Sequence, residues 1–104
     1  MDDIRVTTGM LVLDLRLPHA TSLKERRQEL RSLLDRLRRL EFAAAQVGPA
    51  DLQQRAFVAV STVSGAPAQL EERLDQAEAL AFGTAFEVSV LRRETGVWSG
   101  PSAW

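Results

Sequence analysis

The residues best suited to chemistry in this chain are basic. Lys24, Arg27, Arg31 and Arg38 recur so that, at about 100° of rotation per residue, they line one side of a helix. A row of cations at that spacing can hold phosphates, and such a patch can act even when the total charge is near zero. The formal net charge here is −1. The span from Ser22 to Leu40 nevertheless carries seven bases (Lys24, Arg26, Arg27, Arg31, Arg36, Arg38, Arg39) against three acids (Glu25, Glu29, Asp35), a local net of +4. Asp35 stands four residues from both Arg31 and Arg39, and pairing along the helix would mute the row. The plain alternative is a solvated charged face.

Other chemistry is thin. There is no cysteine, hence no disulfide framework, thiolate metal site or thiol nucleophile. His19 is the single histidine, which excludes a multi-histidine site within one chain, and nothing sets it beside a particular serine. A solvated loop histidine is its simpler reading. Asp14, Asp51 and the glutamates lack metal-ligand spacing. Gly48-Pro49 leads into no Lys and Ser/Thr, so it is a turn and not a phosphate loop. We therefore assign no catalytic residue, metal or cofactor and expect a protein that is not an enzyme. Only a pocket joining Asp14, Arg16 and His19 would argue otherwise. Glu71, Glu72, Asp75 and Glu78 make a second acidic segment, read as a solvated face or as a match to the basic helix of another copy.

These side chains need elements to position them. In Ser22–Leu40, the residues Leu23, Leu30, Leu33, Leu34, Leu37 and Leu40 share a broad stripe, the pattern of a helix lying on a core. Ser22 with Glu25 forms a capping box at its start. Arg26 points along the apolar stripe. Either its stem packs on the core and its head reaches solvent or a carboxylate, or it contacts an anion beside the helix N-terminus.

Upstream, Met1–Thr8 reads as a loose leader. From Gly9 the chain alternates, Leu11, Leu13, Leu15 and Leu17 on one side and Met10, Val12, Asp14 and Arg16 on the other, which predicts a strand. Pro18–Thr21 turns into the helix. Phe42–Val47 is Ala-rich and compatible with helix, but the next segment needs a partner, so we read it as a strand ended by Gly48-Pro49. Arg55–Val63 is rich in β-branched residues and reads as a strand, with Val58 and Val60 on one face and Phe57, Ala59 and Ser61 on the other. Pro67 opens a second helix to about Phe82, with Leu70, Leu74, Ala77, Leu80 and Ala81 inward and Gly83 at its end. Phe86–Leu91 alternates again, with Phe86, Val88 and Val90 inward.

The order strand, helix, strand, strand, helix, strand predicts an α+β, ferredoxin-like βαββαβ fold. Both helices would cover one face of a four-stranded antiparallel sheet. A chain of 104 residues is one domain, with a core over about 9–94. The other sheet face, carrying Met10, Val12, Phe57 and Ala59, is left open and needs a cover or partner. The tail Thr95–Trp104 shows no periodicity and holds Trp98 and Trp104. It is either a frayed end or a segment whose Val97 and Trp98 dock on that face or on a second subunit. The start, MDDIRVTTG, has no signal-peptide pattern, and no apolar run is of membrane-spanning length. We expect a cytoplasmic protein with no membrane partner.

The run SLKERR, continuing as RSLLDRLRRL, then AAAQVG and DLQQRA, resembles the YlxP-like family of small bacterial proteins, domain-of-unknown-function family 503. Members typically open the first helix with Ser-Leu-Lys-Glu-Lys/Arg-Arg, here Ser22 to Arg27, and carry Gln-Arg-Ala at the third strand, here Gln54, Arg55 and Ala56. The similarity spans roughly Met10–Glu94. It departs at Gln53, where an aromatic is common, at Gln46, where an acid is common, and in the tryptophan tail. The resemblance implies a ferredoxin-like fold. The family's genes often lie beside those for translation initiation and ribosome-maturation factors, which implies an RNA- or ribosome-linked role. Two functions are thus expected to compete. One is an accessory protein binding RNA or the ribosome through Lys24, Arg26, Arg27, Arg31, Arg38 and Arg55. The other is a homo-oligomeric module, a dimer, joined through Met10, Val12, Phe57, Ala59 and Trp98.

Overall fold

In the computed structural model, which describes residues 3–20 and 22–102, six elements follow in the expected order. They are β1 (Ile4–Arg16), α1 (Leu23–Arg39), β2 (Ala43–Val47), β3 (Arg55–Ser64), α2 (Pro67–Phe82) and β4 (Glu87–Gly100). The strands form one antiparallel sheet in the order β2-β3-β1-β4. Both helices pack on the same side of it, giving the ferredoxin-like arrangement.

The core lies between that side and the helices. Leu11, Leu13 and Leu15 of β1 are fully buried beside Val60, Val58 and Ala56 of β3, their register partners. Leu30, Leu33, Leu34 and Leu37 descend from α1, and Leu74, Ala77 and Ala81 from α2. Each such leucine contributes about 1.5–3 kcal/mol of hydrophobic stabilisation. Gly9 lets α2 come close: a Cβ there would stand 2.9 Å from Leu74 Cδ1.

Two expectations at the chain ends are corrected. The supposed leader is strand from Ile4 onward, and Phe86–Leu91 is only the first half of a strand that runs to Gly100. The two extensions pair with each other, Ile4 opposite Gly100 and Val6 opposite Trp98. The described tail is therefore neither frayed nor folded over the open face; it lengthens the sheet. Trp104 and Thr21 lie outside the described residues.

The extension was hidden by a bulge. Leu13 pairs with Val90, but Val12 pairs with Arg92, so Leu91 is an extra residue. Beyond it the inward side passes from even to odd positions, and Arg93 sits opposite Leu11 on the helix side. There Arg93 Nη2 donates to Glu71 at 2.6 Å, Nη1 donates to Asp75 at 2.8 Å, and Nη1 also donates to Glu78. The acidic face of α2 is thus an anchor for β4 within the same chain. The Glu71 hydrogen bond foremost raises the Arg93 pKa further above its ordinary value, so this cation stays charged.

α1 ends without glycine. Glu41 takes a left-handed φ of 68°. The Phe42 N–H donates to Leu37 O at 3.1 Å and the Glu41 N–H to Arg38 O at 3.0 Å. That is a Schellman closure, with Phe42 and Leu37 both buried as its apolar contact. At the far end of the sheet, the Ser102 N–H and hydroxyl donate to Asp3 at 2.5 and 2.9 Å. These bonds, the backbone one first, lower the Asp3 pKa below 3.8.

Two outcomes follow. Glu41→Gly relieves the left-handed strain and should raise stability in urea denaturation by about 1 kcal/mol. A folded pKa below the unfolded one means that the Asp3–Ser102 contact contributes above the unfolded value and is lost as pH falls through the folded value. The Ser102 amide resonance should accordingly titrate with a midpoint below the ordinary aspartate value, and Asp3→Asn should abolish that titration.

Candidate functional site

α1 begins where its sequence says it should. Ser22 is extended, with φ −152° and ψ 158°, and its hydroxyl accepts from the Glu25 N–H at 3.2 Å. This start sets the rotation of the helix and so the direction of each base. Lys24, Arg27 and Arg31 are exposed, and none of them joins an ion pair among the described residues. The same is true of Asp35, so it does not mute the row through Arg31 or Arg39. Arg38 is also exposed, but its Nη2 donates to Ala44 O at 2.8 Å and ties α1 to β2.

Arg26 and Arg55 stand apart from that row. Arg26 is only 1% exposed, so its head does not reach solvent. Its Nη2 donates to Ala50 O at 2.8 Å, while Nε and Nη1 have no partner. Burial first, and then the neighbouring charge of Arg27, lower its pKa. Arg55 lies on the opposite side of the sheet. It grips Asp14 with two parallel hydrogen bonds, Nε to Oδ1 at 2.9 Å and Nη2 to Oδ2 at 2.7 Å. Its guanidinium also lies 5.1 Å from the centre of the Phe57 ring. The hydrogen bond to Asp14 raises the Arg55 pKa. Asp14, buried by this pairing, is committed to Arg55, whereas His19 is exposed in the turn after β1. Among the described residues, no group of three or more His, Cys, Asp or Glu could hold a metal. No helix there is long and apolar enough to cross a membrane.

The open sheet face gathers the other set of residues. Register places Met10, Val12, Phe57 and Ala59 on the side away from the helices, where all four are half-buried. The bulge brings Trp98 to the same side, opposite Val6, with its ring over Gly100. Met10, Ala43, Ala45, Ala59 and Ser61 line a shallow groove of about 330 Å³ there, floored by small side chains. Trp98 and Val63 are 58% and 69% exposed on the same side of the sheet. Ile4, Val6 and Val63 were missed as members of this face. For Ile4 and Val6 the signal was the β-branched run Val6-Thr7-Thr8, which continues the β1 alternation backward, and for Val63 it was the odd-position alternation after Phe57.

The comparisons agree with this geometry. No curated protein matches the chain. Among solved structures, it is similar to a C-terminal segment of the alpha subunit of aIF2 from Pyrococcus abyssi, at 14% identity and a TM-score of 0.51. The match covers 86% of this chain and 51% of that one, so the chain spans about half the length of that segment. At this identity the likeness is one of fold. The model for a protein family of unknown function, DUF503, matches residues 8–95, nearly the whole sheet and both helices. The resemblance carried by the SLKERR and QRA runs is therefore borne out, and the chain belongs to the DUF503 family.

Proposed function

We propose that this chain is a small, non-enzymatic, cytoplasmic interaction module that pairs with a second copy of itself through the open sheet face. One observation carries the reading. The helices cover a single side of the sheet, and the other side presents Met10, Val12, Phe57 and Ala59, with exposed Val63 and Trp98 farther along the same side. An apolar surface of this kind marks an interaction site. Two copies related by a two-fold axis would bury the same patch on each other. Trp98 is the natural anchor, since large aromatic residues dominate such contacts. Arg92 and Glu94, paired at 2.5 Å near the patch, supply a polar rim of balanced charge. Sedimentation equilibrium should give a dimer for the parent at micromolar concentration and a monomer for Trp98→Asp, with far-UV circular dichroism unchanged. A monomeric parent would remove the reading.

A second reading rests on Lys24, Arg27 and Arg31, which are exposed on one side of α1 and outside every ion pair among the described residues. They suit the backbone of RNA, free or in the ribosome, and a dimer would present two such rows. Arg38 contributes less because it is tethered to Ala44, and Arg26 and Arg55 are engaged inside the fold. Filter binding of structured RNA should weaken steeply with salt. Replacing the three bases by Gln should reduce the log–log slope by about 2–3. Absence of retention at low salt would end this reading.

A further inference from the structure

Three buried side-chain nitrogens among the described residues lack any hydrogen-bond partner: Nε and Nη1 of Arg26 and Nε2 of Gln46. All are donors, two on α1 and one on β2. Gln46 pairs with the buried Val58, so its side chain is on the helix side of β2. Arg26 reaches across from the second turn of α1 to Ala50, three residues beyond the end of β2. The N-terminal end of α1 thus meets the segment that follows β2, and donors are unanswered on Arg26 and on Gln46, which stands four residues before Ala50.

This pattern has a cost. A buried guanidinium with one neutral acceptor is an uncompensated charge, and buried polar groups in folded proteins almost always find partners. A complement that supplies several acceptors and negative charge would answer these donors, which is the chemistry of an oxyanion. Lys24 and Arg27 stand exposed on the same two turns. Their charges favour a multiply charged phosphate over a singly charged carboxylate.

The carbonyl that Arg26 holds belongs to 48–54, which has no helix or strand. That segment is fastened at three points: Arg26 Nη2 to Ala50 O, the Leu17 N–H to Gln54 O at 2.7 Å, and Gln54 Nε2 to Ala20 O at 3.3 Å. Only the first involves Arg26. Releasing Ala50 would free the whole fork of Arg26.

We propose that Arg26 and Gln46 form a phosphate-binding site beneath the 48–54 segment, in which a phosphate oxygen displaces the Ala50 carbonyl from Arg26. The site is separate from the open sheet face and does not depend on dimerisation. Its test is an NMR titration of the ¹⁵N-labelled full chain with inorganic phosphate and, separately, with adenosine monophosphate, against sodium chloride at equal ionic strength. The Arg26 Nε–H resonance should move saturably, and the amides of Ala50 to Gln53 should move with it. A response to inorganic phosphate alone assigns a free oxyanion. A response to both assigns a phosphomonoester group. Phosphate should also raise the thermal midpoint beyond its general salting effect. Arg26→Met should lose that increment, and Gln46→Met should bind about tenfold more weakly. The Nε–H readout and Gln46→Met keep the test decisive should Arg26→Met fail to fold. An Arg26 resonance that does not move, or an Arg26→Met protein with an unchanged phosphate response, overturns the site.

Discussion

The extra residue at Leu91 sets the character of both sides of the sheet. A strand without it would turn Arg92, Glu94 and Trp98 toward the helices and Arg93 toward the open side. With the bulge, Arg93 meets Glu71, Asp75 and Glu78 of α2, and Trp98 joins Met10 and Val12 on the open side. The clamp and the exposed tryptophan are two consequences of one inserted residue. Bulges tend to re-aim side chains in this way, and they do so here without ending the pairing.

The same switch decides which charges on β4 meet which partners. On the helix side, α2 turns three acids onto one arginine. On the open side, Arg55 neutralises Asp14, and Arg92 pairs with Glu94. Among the features that stand outside these pairs are the basic row on α1 and the apolar side chains of the open side, from Phe57 to Trp98. Each leftover feature has its own functional reading, and the two point in different directions, so both can be used at once. The buried donors of Arg26 and Gln46 belong to neither and are the buried side-chain nitrogens left without a partner among the described residues.

How much of this was legible depends on how local each feature is. The stripe of leucines in α1 and the alternation of β1 from Gly9 are patterns within one element, and they led directly to the fold. The cap at Ser22 was equally local. The end of α1 was harder, because a Schellman closure is usually announced by glycine and here Glu41 takes that place. The second half of β4 broke its own alternation at Leu91 and so looked like a tail without structure. The Asp14–Arg55 pair is a diagonal across two strands and exists only once their register is known. Arg26 was visible as a base on the apolar stripe, but its missing partners depend on where the segment after β2 comes to rest.

A double-mutant cycle on stability separates the bulged strand from an unbulged one. Arg93→Met and Arg92→Met are each combined with Glu78→Gln. The account requires a coupling of about 1 kcal/mol for the Arg93 pair and almost none for the Arg92 pair. Coupling of Glu78 to Arg92 and not to Arg93 would place Leu91 inside a regular ladder, and Trp98 would no longer belong to the open face.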